Sequence, residues 1–377
     1  MPMILGFRYL RFKRILALFI VLSLSSMLFF TTALSLMGFY RGFTYYLGEE
    51  KGVIVIYDIK SRTPFTGLVP ANLGDNLNIT RSPEIIVPCI LRNESVFLRG
   101  VIPQNFLRID RIKMEEGEIL GNDDLNSAIV GKNLAERLHI RTGDKLLVLG
   151  VLADRYVELD VKGIFSSSSP MDDEIIAPLH VGQWLRGADY SYVTLIRIKG
   201  EVNQSKILEE LGIKPSEEKE EKGLSPSVPS SLPLKAGEIG AKEAYDLMRS
   251  YMERYGLTRE SLLVLSSTVL LLSSISIAVA FRTVVAQHRD EIEVIRSVGA
   301  SKRILKADIL VKLLPWAAAA SLTGLLLAVL TLNLIQRAGF LQVLSHSPPI
   351  SVDPLIFLLN FLFVLLLMLA SLRGDIN

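Results

Sequence analysis

The chain of 377 residues has a single cysteine, Cys89, and four histidines, His139, His180, His288 and His346. One thiol excludes an intramolecular disulfide, so the segment that holds it relies on packing for its stability. With no His-Glu-x-x-His and no cysteine pair, the common zinc sites are excluded as well. No Gly-x-x-x-x-Gly-Lys-Ser/Thr sequence occurs, so the chain cannot cradle nucleotide phosphates in the P-loop manner. Nothing sets a base and an orienting acid beside a nucleophile: residues 166–169 read as a serine-rich turn and Met171 to Glu174 as a solvated acidic loop. The formal net charge of +2 gives no global field that would attract nucleic acid. Neither a catalytic residue, a cofactor site nor a metal site is expected.

The most informative absence is local. Four runs, 15–40, 261–281, 313–336 and 354–372, contain no Asp, Glu, Lys, Arg or His. At about 1.5 Å per residue even the last covers roughly 28 Å of a ~30 Å hydrocarbon core. Each is therefore read as a transmembrane helix. Intramembrane ionisable groups mark proton relays and ion pathways, so their absence argues against a proton- or sodium-coupled carrier. Serines in the second run (Ser266, Ser267, Ser273, Ser274, Ser276) and Ala317 to Ala320 with Gly324 in the third would let helices approach closely, within the chain or across a dimer.

Lys and Arg set the orientation. Arg8, Arg11, Lys13 and Arg14 precede the first run, and segment 282–312 carries Arg282, Arg289, Arg296, Lys302, Arg303, Lys306 and Lys312. Such short basic segments stay on the cytoplasmic side. The expected organisation is a cytoplasmic N-terminus (1–14), helix 1 (15–40), an extracytoplasmic domain (41–260), helix 2 (261–281) and a cytoplasmic loop (282–312). Helix 3 (313–336), an extracytoplasmic loop (337–353), helix 4 (354–372) and a cytoplasmic C-terminus (373–377) complete it. A signal peptide competes for the N-terminus, but 26 apolar residues exceed the ~7–15 of a signal h-region.

Segment 41–260 turns to short runs rich in Val, Ile, Leu and aromatics: 53–59, 84–91, 95–102, 145–152, 156–165 and 192–199 read as strands, and 132–138 as a helix. The fold class is thus a membrane protein of four transmembrane α-helices with a large α+β extracytoplasmic domain inserted between helices 1 and 2. Residues 215–233, charge-dense and rich in Pro and Ser, are expected to be a mobile loop. Apolar spacing over 236–257 predicts a stalk helix running almost directly into helix 2.

Within 282–312, Val285, His288, Ile292, Ile295 and Val298 fall on one helical stripe while Arg289, Asp290, Glu293 and Arg296 face away. Gly299 is placed to stop that helix and Ser301 to cap the next. Physics alone leaves this open between a connector anchored to anionic lipid and a partner-binding element. The sequence Arg289-Asp-Glu-Ile292, then Ile295-Arg296-Ser-Val-Gly299-Ala300-Ser301, resembles the signature of FtsX/MacB-type ABC transporter permeases. Segments 98–103, 115–119, 128–135, 143–147, 161–165 and 173–179 are similar, in the same order, to that family's extracytoplasmic core domain.

The resemblance to the MacB/LolCE/FtsX group implies several things at once. The chain would be a permease subunit and not an enzyme, paired with a second permease copy or paralogue and served by a separately encoded P-loop ATPase. ATP-driven motion would be transmitted to the outside domain to export or extract a lipid, lipoprotein, peptide or drug. Arg289, Glu291, Ile292, Ile295, Arg296, Gly299, Ala300 and Ser301 would form or support the ATPase contact. The alternative within the same resemblance is a regulatory protein that controls an extracellular partner without transport. Either reading places the chain in the cell membrane among its lipids, with no nucleic acid partner.

Overall fold

In chain order, α1 (Phe12–Thr44) is followed by β1 (Val53–Asp58), β2 (Val69–Pro70), β3 (Thr80–Leu91), β4 (Glu94–Val101), α2 (Pro103–Ile109), β5 (Lys113–Gly117), β6 (Ser127–Gly131) and α3 (Lys132–Leu138). Next come β7 (Lys145–Gly150), β8 (Arg155–Ser166), a 3-10 turn (Pro170–Asp173), β9 (Glu174–Pro178), α4 (Leu179–Arg186), β10 (Tyr192–Val193), β11 (Leu195–Lys199) and β12 (Ile239–Glu243). The rest is helical: α5 (Ala244–Arg254), α6 (Arg259–Gln287), α7 (Arg289–Ser297), α8 (Lys302–Arg337) and α9 (Pro354–Gly374). This computed structural model describes residues 12–374 apart from 49–51, 64, 76–78, 168, 201–208, 210–238, 298, 300, 341, 343–344 and 351. The loop expected at 215–233 lies outside the described residues.

Among the described residues, four helices are long and apolar enough to cross a membrane: Ile15–Thr44, Arg259–Gln287, Lys302–Arg337 and Pro354–Ser371. A large α/β domain separates the first from the other three, so the fold class is that expected. Two compact units result, one of Met1–Tyr40, Leu257–Phe340 and Ile350–Asn377, the other of Arg41–Gly256 and Leu341–Pro349.

The helical unit is held by close backbone approach and by polar groups that find each other away from water. Asn360 of α9, fully buried, donates from Nδ2 to Ser26 Oγ of α1 at 3.1 Å and to Ser321 Oγ of α8 at 3.3 Å. A Cβ on Gly324 of α8 would lie 2.6 Å from Ser26 Cβ, so only glycine allows α1 to come this near. Phe30 stacks on Phe357 and Phe19 meets Trp316 edge-on. Large apolar side chains such as Leu271, Leu272, Ile275 and Leu326 stay exposed on the helices. A bilayer would cover them.

The other unit is built on a sheet in the order β12-β1-β11-β3-β4-β9-β6-β8-β5, with β7 pairing to both β3 and β8. Pairs β4–β9 and β6–β8 are parallel, the rest antiparallel. Both faces are covered. Ile85, Val87, Leu98 and Val130 join Leu134, Leu138, Val181 and Leu185 of α3 and α4 in one core. Opposite, Val55, Ile86, Phe97 and Leu195 pack with Ile109 at the end of α2, with Leu247, Met248 and Tyr251 of α5, and with Tyr46 and Leu47 just beyond α1.

Two expectations about this unit are corrected. The predicted stalk helix over 236–257 divides: 239–243 pair as β12 onto β1, and the helix occupies only 244–254. It does not run on into the next helix, because Gly256 takes φ 72° and Thr258 starts α6 with a capping box to Ser261. The acidic run at 172–174 is no solvated loop. Asp172 is 9% exposed, and Asp173 and Glu174 are fully buried.

Candidate functional site

The segment joining α6 to α8 is a short helix between two defined stops. The helix expected to stop at Gly299 breaks earlier, at His288, whose Nδ1 lies 2.7 Å from the Val284 carbonyl and whose N–H donates to Val285 O in a tight turn. From Arg289 the nine-residue α7 begins. Ile292 is buried and Ile295 half-buried against Phe281, Val284, Val285, Leu305 and Leu313, so this apolar side fastens α7 to the helices on either side of it in sequence. Arg289, Glu293, Val294, Arg296 and Ser297 are exposed, with Arg289 Nε 3.0 Å from Glu293 Oε1. In water that pair contributes only ~0.3–0.5 kcal/mol, so both charges remain available to a partner.

Gly299 then takes φ 100°, with no other atom within 4 Å of where a Cβ would lie. Room is therefore not the constraint at this position; backbone conformation is. Ser301 caps α8 by accepting from Ile304 N–H. Glu291 stands on α7 with its side chain outside the described part, and Ala300 lies outside the described residues. Of the predicted contact residues, then, Arg289, Arg296 and Gly299 are presented outward, Ile292 and Ile295 hold the helix in place, and Ser301 begins the next one.

A second constellation lies in the sheet unit and was not anticipated. Four consecutive strands, β11, β3, β4 and β9, each place one charged side chain on the same covered face: Arg197, Glu84, Arg99 and Glu174, all without exposed surface. Arg99 donates to Glu174 from Nε at 2.8 Å and to Glu84 from an Nη at 2.7 Å. Arg197 donates to the other Glu84 oxygen at 2.6 Å, to the Leu47 carbonyl at 3.2 Å and to Asp110. Tyr46 donates to Glu174 and lies under the Arg99 guanidinium, 4.9 Å from ring centre to Cζ.

The electrostatics of this cluster follow from burial and pairing. Burial raises the Glu174 pKa, but the Arg99 guanidinium and a hydrogen bond from His346 outweigh it and hold the carboxyl at about 2. Burial likewise pushes the Tyr46 phenol well above its ordinary value, so it stays a donor. Beside the cluster, Asp172 accepts from the Ser167 N–H and hydroxyl, and Asp173 from Arg137 and Ser347. Every carboxylate in the run is thus consumed by protein donors. Among the described residues no group of three His, Cys, Asp or Glu side chains is placed to hold a metal.

Residues 263–372 match the family model described as FtsX-like permease C-terminal. This match spans α7 and Gly299 and takes in only residues 341–349 of the sheet unit. A solved domain of a protein described as a permease, from Porphyromonas gingivalis, has 12% sequence identity, covers 42% of this chain and 77% of its own, and superposes with a TM-score of 0.28. No curated protein matches.

Proposed function

We propose that this chain is the permease subunit of an ABC-type system, working with a separately encoded P-loop ATPase. The match of residues 263–372 to an FtsX-like permease C-terminal domain carries the reading. Its centre is α7, an amphipathic helix whose apolar side is committed to packing and whose described charged residues, Arg289, Glu293 and Arg296, are exposed. On this reading the seven basic residues of 282–312 hold that segment on the cytoplasmic side. ATPase closure would push α7, the connected helices would move, and the sheet unit outside the membrane would respond. Because no ionisable group interrupts the four apolar runs, energy would enter through α7 and not through an ion gradient. A second permease copy or paralogue completes the assembly. The α/β unit meets the cargo or partner, be it lipid, lipoprotein, peptide or drug.

Purification in mild detergent should bring down a P-loop ATPase whose hydrolysis changes the proteolysis pattern of the sheet unit. Gly299→Val forces a β-branched residue to φ 100°, a conformation that costs ~1–3 kcal/mol. It should leave insertion intact while uncoupling ATP hydrolysis from the change in the sheet unit, and Glu291→Lys should act the same way. Wild-type coupling in both variants, or failure of any ATPase to co-purify, would overturn the assignment.

A further inference from the structure

Glu174 receives hydrogen bonds from three separate parts of the chain. Arg99 donates from β4, Tyr46 from two residues past the end of α1, and His346 from the segment between α8 and α9. Ionised as its lowered pKa requires, Glu174 can only accept, so His346 Nε2, 2.9 Å from Oε1, carries the hydrogen. The imidazole is held on its faces too, stacked on Phe97 at 5.3 Å and met edge-on by Tyr46 at 5.2 Å.

Neighbours of His346 are fastened in the same manner. Ser345 Oγ is 3.0 Å from Ser95 Oγ, and the Ser347 N–H donates to Asp173 Oδ2 at 2.9 Å. Pro349 lies so close to Gly42, near the end of α1, that a Cβ there would meet its Cδ at 2.9 Å. Residues 341–349 accordingly belong to the sheet unit, although the helices they connect, α8 and α9, do not.

We propose that residues 345–349 form a clasp that stays shut throughout the working cycle, and that Glu174 is the positioning residue on which it closes. One buried carboxylate then fastens to β9 both the continuation of α1 and the connection between α8 and α9. Opening the clasp would strand Glu174 and Asp173, neither with any exposed surface, without donors they now have. A shut clasp makes β9 follow whatever the α8–α9 connection does. Its role in coupling rests on the permease reading; its existence does not.

Ser95→Cys with Ser345→Cys tests it in the full chain in native membranes. The native Cys89 is buried, with its thiol pushed up to about 12, and does not compete. Mild oxidation should give near-complete cross-linking with or without nucleotide, and the oxidised protein with its co-purified ATPase should keep the ATP-dependent proteolysis change of the reduced form. Failure to cross-link, or loss of that change reversed by reductant, would overturn the proposal, the second by showing that the clasp must open. His346→Leu combined with Ser347→Ala removes the imidazole bond to Glu174 and the 3.3 Å bond from the Ser347 hydroxyl to Asp173 Oδ1, leaving only the Ser347 N–H; it should abolish the change while ATP hydrolysis continues, and His346→Gln, which keeps a donor, should retain it. Unaltered coupling in the first variant would also sink the idea. If no ATPase accompanies the protein the permease reading fails, while the cross-linking yield still decides whether the clasp exists.

Discussion

Among the described residues Arg99 and Arg197 are the two largest side chains with no exposed surface, and Glu84, Glu174 and Asp110 supply the carboxylates that neutralise them. Removing one partner from such a buried set typically costs about 3–5 kcal/mol, because the charge left behind remains desolvated. Glu174→Gln should therefore lower the thermal midpoint of the sheet unit in the full detergent-solubilised chain, with the helical unit unaffected. The pH dependence has a definite sign. Glu174 has a folded pKa of about 2, against roughly 4.3 for a free glutamate, so its contribution is complete above about pH 5 and is lost as the pH falls towards 2. The stability gap between wild type and Glu174→Gln should narrow over that window in acid titrations and stay constant from pH 5 to 8; a constant gap throughout would refute the role given to ionised Glu174. Glu84, Arg99 and Arg197 were visible in the sequence as charges inside apolar strands, whereas Glu174 was hidden at the end of an acidic run. Alternation would send such charges to solvent, and only a sheet covered on both faces turns them inward.

At the scale of elements, periodicity located what it could. Of the stripe Val285, His288, Ile292, Ile295 and Val298, the first four are buried or half-buried as the spacing requires and Val298 lies outside the described residues, while the break at His288 escaped, since a local side-chain bond to Val284 O leaves no periodic trace. Short elements fared worse. β5 at Lys113–Gly117 is a charged edge strand, and β9 at Glu174–Pro178 begins with the acidic run, so neither had the apolar alternation that marks a strand. Asn360 shows the same limit among the long helices. Its run reads simply as apolar, yet its amide bridges α1 and α8 through Ser26 and Ser321. Hydrogen bonds of this kind between membrane helices are worth about 0.6–2 kcal/mol. Asn360→Leu should accordingly weaken the helical unit by that order in unfolding from detergent, and Ser26→Ala in the same background should add little, because both remove one network. Fully additive losses would show that the two hydrogen bonds are independent.

For the molecule as a whole, the division into a helical unit and an inserted α/β unit was legible because charge-free runs of membrane-spanning length are the strongest signal a sequence carries. Which side each unit occupies is a separate matter, resting on Lys and Arg and not on packing. The seven basic residues of 282–312 face one connection, 337–353, that holds only Arg337. On the proposed reading, that asymmetry would keep the α7 segment inside and the sheet unit outside. The lone native thiol, Cys89, has no exposed surface, so single cysteines can report on this almost without background. Leu125, exposed on the sheet unit, and Ser297, exposed at the end of α7, are suited to carry them. In intact cells a membrane-impermeant maleimide should label Leu125→Cys at once and reach Ser297→Cys only after permeabilisation. The reverse pattern would put α7 outside the cell, beyond the reach of any ATPase, and with it would fall the permease mechanism and the coupling role of the clasp.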